Sequence, residues 1–197
     1  MPRNGLCTFF TGNADGTFQG DNFLNRAEIA AIGARAEYTD AEIAQLSADR
    51  DIPFPDLLRQ EWFTGSAIMS QSLGFIDGLG ENHPTMPGYF DAAGNLDVLQ
   101  AMKLFITIPA RHYPEIMSTY QRYANDPTLQ WFQAWYLTYL DIVGLEPPVV
   151  IPGIETTPLD MESFVRVYQQ NPYIDRKDFA LGLYRVYMAL DPALAEN

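Results

Sequence analysis

The sequence predicts a mainly α-helical single domain spanning residues 1–197, and three observations carry that prediction. One local helix-start chemistry recurs five times. Two further segments carry helical aromatic patterning and stop at a glycine. Strands are barely signalled, with Val149 to Ile151 as the one short candidate.

The first start, Leu24-Asn25-Arg26-Ala27-Glu28-Ile29, places Asn at the N-cap, Glu three residues later and apolar residues on both sides. That is a capping box with a hydrophobic staple, in which the cap side chain and the Glu each satisfy an N–H the helix leaves open. It predicts a helix near 25–36. Tyr38-Thr39-Asp40-Ala41-Glu42-Ile43 repeats the pattern and predicts a helix over 40–49. Trp62 to Leu73 ends at Gly74, a plausible left-handed C-cap. Leu96-Asp97-Val98-Leu99-Gln100 opens a helix over 97–108, with Gln as the returning acceptor. Leu129 to Val143 ends at Gly144. Leu159-Asp160-Met161-Glu162 and Ile174-Asp175-Arg176-Lys177-Asp178 are looser copies, opening helices over 160–170 and 175–190. Pro147-Pro148 and Pro152-Gly153 predict an extended connector between Gly144 and the next helix.

The chain carries 12 Lys and Arg against 25 Asp and Glu, a net charge of −13, so it lacks the basic surface that phosphate-backbone binding requires. Nucleic acid is excluded as a partner on that ground. The single Cys7 excludes an internal disulfide and a cysteine-built zinc site. No apolar run approaches the roughly 20 residues of a membrane span; the longest, Leu104 to Ile108, stops at Pro109. Met-Pro-Arg-Asn-Gly at the N-terminus has no signal-peptide core. Either the chain is not exported by that route, or it is a mature product or fragment.

The helix starts belong to a longer self-similarity. Residues 54–102 run Phe54-Pro55-Asp56, Trp62, Gly74-Phe75-Ile76-Asp77-Gly78, Phe90 and then the Leu96-Asp97 start. The order returns as Trp131, Gly144, the Pro-rich loop and Leu159-Asp160. A first copy is truncated to Asp15-Gly16-Thr17-Phe18 and the helix from Asn25. The repeat-like segments are therefore 9–37, 54–108 and 129–171, with the C-terminal helix at 175–190. Segments 39–50, 110–125 and 172–197 fit no repeat position.

These residues resemble the S-layer homology (SLH) domain family, whose repeats join an aromatic-started helix, a Gly turn, an Asp-Gly-Thr-Phe loop and a helix opened by Thr-Arg-Ala-Glu. Gly12 to Glu28 follows the second half closely, with Phe18 eight residues before Arg26 and Asn25 in place of the capping Thr. The second and third copies, at Asp97-Val98-Leu99-Gln100 and Asp160-Met161-Glu162-Ser163, keep the cap and lose the arginine. The resemblance implies a pseudo-symmetric helical assembly of about three repeats with extra helices. Its grooves would bind acidic, often pyruvylated, cell-wall polysaccharide. Arg26 would then pair with a ligand carboxylate through its two-pronged guanidinium. Asp15 and Gly16 would shape the adjoining loop, and Glu28 would orient the helix start. The alternative for Arg26 is a structural arginine, with Glu28 merely its capping neighbour.

Trp62, Trp131 and Trp135 could stack on sugars, but at helical spacing they read first as core anchors. Trp131, Trp135 and Tyr139 share a face dense enough in aromatics to mark a subunit contact. Asp15-Gly16 within Thr11 to Asn22 is a poor calcium loop, lacking a leading Asp and a closing Glu. His83 and His112 have no partner at metal-ligand spacing, and no nucleophile, phosphate or dinucleotide motif is present. The expected function is therefore non-catalytic, without metal or cofactor: an SLH-like module at a cell envelope, holding an acidic wall polysaccharide or a surface-layer partner. The alternative is a structural subunit of a larger assembly (a surface layer, extracellular filament or virus particle) in which the scaffold packs against neighbouring subunits. Both readings place the chain at a cell surface or in a particle and in an oligomer.

Overall fold

A computed structural model describes residues 10, 12, 15–80, 83–144, 169–170 and 172–193. Among these residues the protein is mainly α, with seven helices and no strand. They are α1 (Arg26–Glu37), α2 (Asp40–Ser47), α3 (Thr64–Ser72), α4 (Val98–Thr107), α5 (Ile116–Ala124), α6 (Trp131–Val143) and α7 (Arg176–Leu190). None is long and apolar enough to cross a membrane. The chain divides into two compact units. One is Met1–Phe18 with Leu24–Asn95, the other Gln19–Phe23 with Leu96–Asn197.

In the first unit α1 packs along α3, and α2 packs against α3 as well. Gly33 permits the close approach, since a Cβ there would stand 3.0 Å from both the Phe75 ring and Ser70 Oγ. Ser70 Oγ then donates to the Ala30 carbonyl at 2.7 Å, tying the two helices through a fully buried hydroxyl. Ala34, Ile43 and Met69 form the core beneath α2, with Tyr38 packed against them. Phe54, Phe63 and Phe90 fill the other end, with Phe90 5.1 Å from Phe54 and 6.1 Å from Phe63 between ring centroids. The Phe54-Pro55-Asp56 motif thus places one aromatic in the core. Asp56 itself accepts hydrogen bonds from the Phe90 and Asp91 N–H groups at 2.7 and 2.8 Å.

In the second unit α4, α6 and α7 surround Phe105, whose ring lies 5.7 Å from Tyr139 and 5.0 Å from Phe179. All three rings are buried completely. Gly182 of α7 sits directly on that ring: a Cβ there would lie 2.8 Å from Phe105 Cε1 and Cε2. Helix α5 packs on α6, where Tyr120 stacks on Trp135 at 3.6 Å.

Three helix starts share one bonding scheme. Leu24, Leu96 and Ile174 are buried, and each is followed by its cap: Asn25, Asp97 or Asp175. Each cap accepts from the third helical N–H, at 2.9 Å from Glu28, 2.7 Å from Gln100 and 2.8 Å from Asp178. The first helical N–H instead leaves its own segment. Arg26 N donates to Gly94 O at 2.9 Å, Val98 N to Pro172 O at 2.8 Å and Arg176 N to Asn22 O at 3.0 Å. Ala27 N and Lys177 N continue the pattern, to Ala92 O and Gly20 O. Isolated antiparallel bridges pair Asn25 with Asn95, Phe23 with Asp175 and Asp97 with Tyr173.

Helices occur at each expected position the structure describes, with shifts of one or two residues. Helix α3 starts at Thr64 rather than Trp62 because no side chain caps it and a turn bond from Thr64 N to Glu61 O precedes it. Helix α6 starts at Trp131 rather than 129, after a turn in which Asp126 accepts from the N–H and the hydroxyl of Thr128. Helix α5 falls in a stretch where no helix is expected from sequence: it lacks a capping side chain and buries only Ile116. The expected helix over 160–170 lies outside the described residues except for residues 169 and 170, which are helical. The candidate strand at 149–151 and the Pro-rich connector beyond Gly144 also lie outside them.

Gly182→Ala should lower stability, because Phe105 is wedged between Tyr139 and Phe179 and has no room to yield. Overpacking costs about 1–3 kcal/mol, against roughly 1 kcal/mol regained from the better helix former. Thermal unfolding of the variant should show a lower midpoint, whereas Gly80→Ala, with nothing within 4 Å of the added carbon, should be nearly neutral.

Candidate functional site

The N-terminal loop is local turn chemistry. Asp15 is exposed, and its Oδ1 accepts from Thr17 Oγ1 at 2.6 Å and Thr17 N at 2.9 Å. The Thr17 hydroxyl bond is the main reason its carboxyl is held below the ordinary range. Gly16 has φ +81°, a left-handed conformation suited to glycine. Among the described residues no group of three or more His, Cys, Asp or Glu is placed to hold a metal ion. His83 is built into its own loop, its Nδ1 accepting from Met86 N at 3.1 Å.

Arg26 is buried. Its Nε donates to the Phe90 carbonyl at 2.5 Å and one Nη to the Asp77 carbonyl at 2.6 Å. The guanidinium carbon also lies 5.3 Å from the Phe90 ring centroid. The planar fork thus fastens two loop carbonyls and packs on an aromatic face, a structural use to which arginine is suited. Glu28 closes the capping box, with Oε2 accepting from Asn25 N at 3.0 Å. Asp15 and Gly16 are not joined to Arg26 by any of these bonds; the loop that Arg26 holds is 77–90.

A second arginine holds the matching position and was not singled out from sequence. Arg176 follows the cap Asp175 as Arg26 follows Asn25, and it too is buried. Its signal in the sequence is Ile174-Asp175-Arg176, an apolar residue, a cap and an arginine in the order of Leu24-Asn25-Arg26. Two residues on, Asp178 occupies the position of Glu28 and is buried. Burial, and next the neighbouring Asp175 carboxylate, push its pKa up to about 6. Lys177 bridges Asp21 and Asp175, the latter at 3.3 Å, and the bond to Lys177 keeps the Asp21 carboxyl below its usual range.

The tryptophans divide. Trp135 is buried and stacked on Tyr120, and Tyr139 is buried against Phe105, so neither of these two interface candidates reaches the surface. Both are consumed by their own unit because α6 turns that face toward α4 and α5. Trp131 is 58% exposed, and Trp62 is 67% exposed. The expectation that they are core anchors is corrected: the core position belongs to the next residue. Phe63 and Phe132 are buried, each meeting its tryptophan edge to face, at 5.4 and 5.9 Å. Two Trp-Phe pairs therefore carry one phenylalanine in and one indole out. No family model matches the chain, and no curated protein matches it.

Two outcomes follow for this region. Arg26→Lys keeps the charge but cannot span both carbonyls, so chemical denaturation should show a loss of about 1–3 kcal/mol. Asp178 has a pKa raised above its unfolded value, so its ionisation opposes folding above about pH 6. That penalty fades as pH falls toward the unfolded carboxyl value, roughly 3.9. Asp178→Asn should therefore stabilise at pH 7 by ~1–2 kcal/mol, part of the gain being offset by losing a negative charge at a helix N-terminus. Paired melts from pH 4 to 8 check this: the gain should vanish at the acid end.

Proposed function

We propose that this chain is a non-catalytic SLH-like module that attaches at a cell envelope by holding an acidic wall polysaccharide. The observation that carries the reading is the shared scheme at α1, α4 and α7. Its donors and acceptors run in a cycle. Helix α1 donates to the loop before α4, α4 to residue 172 before α7, and α7 to the loop before α1. Each of the tripeptides 23–25, 95–97 and 173–175 makes one bridge at its first residue and one at its last. Such a cycle supports three related helix starts, the third of them at α7, outside the repeat segments read from the sequence. Further support comes from the loops. Phe18 and Phe90 each precede their helix start by the same spacing, and the next residues, Gln19 and Asp91, both have positive φ, at 49° and 56°. Turn bonds from Asn22 N to Gln19 O and from Gly94 N to Asp91 O complete the match.

The reading assigns Arg26 to holding the repeat together rather than to gripping polymer, since its donors meet the Asp77 and Phe90 carbonyls. Co-sedimentation of the full chain with purified acidic wall polymer tests attachment. The protein should pellet with intact polymer and stay in solution with polymer whose carboxylates have been reduced to alcohols. Protein left in solution with both would count against it.

The exposed indole of Trp131 favours a second reading, a structural subunit packing against its neighbours, because interfaces concentrate tryptophan. Mass in solution separates the two. Concentration-dependent oligomers that Trp131→Ala abolishes would support packing, and a monomer at high concentration would remove that support.

A further inference from the structure

We propose that the groove between α2 and α3 is a saccharide site that takes a carboxylate-bearing pyranose ring on Trp62. This rests on the attachment reading and gives it a location away from the motif arginines. The groove encloses about 480 Å³, within the range of small-ligand sites. Its wall is the exposed Trp62 indole, and its rim carries Arg35 and Arg59. Its floor is small: a Cβ on Gly65 would meet Ser47 Oγ at 2.8 Å, so α2 and α3 nearly touch beneath it, and Ser66 lies beside them.

The second unit carries a related tryptophan-phenylalanine pair with a different neighbour. Trp62-Phe63 and Trp131-Phe132 have the same inward and outward arrangement, and the helices that follow them end at Gly74 and Gly144, both with positive φ. Four residues after each tryptophan stand Ser66 and Trp135. In the second unit Trp135 stacks on Tyr120 of α5 at 3.6 Å with their planes 14° apart. In the first unit the serine leaves that space open, and the indole beside it remains 67% exposed.

Chemistry selects the occupant. A flat indole accepts the apolar face of a sugar ring while the ring's hydroxyls stay wet, as suits an aromatic at a half-open site. The rim holds two arginines and one acid, Asp40, paired with Arg35 at 2.8 Å, so it is locally positive on a chain of net charge −13. Arg59 is fixed in place by donating to the Ser47 carbonyl at 2.9 Å and to the Arg50 carbonyl. Unlike the buried Arg26, Arg59 is exposed, so its guanidinium can meet a carboxylate from solvent while those two bonds hold it at the groove. A peptide fits less well: the described residues offer no strand edge for an added strand, and two arginines, an aspartate and two serines interrupt any apolar track for a helix.

The test is a 1H–15N titration of the full chain with a hyaluronan tetrasaccharide, an acidic pyranose probe, and with neutral chitin tetrasaccharide. Of the three tryptophan indole N–H signals, the one absent in Trp62→Phe should shift saturably with the acidic probe and less with the neutral one. Added salt should weaken the response. Trp62→Ala, at an exposed site, should weaken binding about tenfold or more, the scale of one lost stacking contact. Ser66→Trp should abolish it by filling the groove as Trp135 fills its counterpart, with unchanged circular dichroism confirming the fold. An unmoved Trp62 signal, equal response to both sugars, or full binding by folded Trp62→Ala and Ser66→Trp would overturn the proposal. A Trp62 shift with a hexaglutamate peptide but not the sugar would overturn it in favour of a peptide. Polymer co-sedimentation that persists in Trp62→Ala would overturn this site while leaving attachment itself standing.

Discussion

At the start of every helix the first N–H groups have no partner within the helix, and a buried, unpaired donor costs about 1–3 kcal/mol. The fold is organised around meeting that requirement at α1, α4 and α7. A capping side chain satisfies the third N–H of each, and the cap's own carbonyl takes the next. The first must be met from elsewhere in the chain, and it is met by a carbonyl three residues ahead of another cap. This makes each helix start dependent on the turn before a different one. It also explains why those turns are held so firmly. Asp56 ties down Phe90 and Asp91, Arg26 grips the Phe90 carbonyl, and Lys177 reaches Asp21.

The same constraint accounts for the burial of two arginines. Arg26 and Arg176 directly follow their caps and are buried. A residue there is drawn into the bonding that joins helix to loop, and Arg26 serves that purpose with a fork suited equally to a carboxylate. The two indoles of Trp62 and Trp131, by contrast, stay at the surface because their neighbouring phenylalanines take the core positions. Burial of Asp178 near Asp175 follows from the same packing, because both stand at the first turn of α7, where Asp21 and Lys177 also converge.

Much of the architecture was legible from residue order, and its gaps have physical causes. Capping boxes at Asn25, Thr39 and Asp97 are local, within four residues, so the helices they open were placed to within a residue or two at their starts. Helix α5 has no cap and buries little, so it had no comparable signal. The aromatic face of α6 announced burial but not which side of it. Trp135 and Tyr139 were legible as aromatics on one face, while their consumption by Tyr120 and Phe105 depended on residues distant in sequence. Arg176 lies outside the repeat segments read from the sequence, so only the helix start shared with Asn25 and Asp97 in the structure relates it to Arg26.

Residue order alone determined the helical class, the capped starts, the net charge of −13 and the recurrence of an apolar residue followed by a small polar cap. These are properties of neighbours a few bonds apart, fixed by side-chain shape and hydrogen-bonding capacity. Tertiary structure decided that the first N–H of α1 meets Gly94, that Arg26 turns inward, and that Trp62 faces a groove while Trp135 fills a space. Those outcomes depend on which carbonyl or ring arrives from dozens of residues away, and no local preference encodes that arrival.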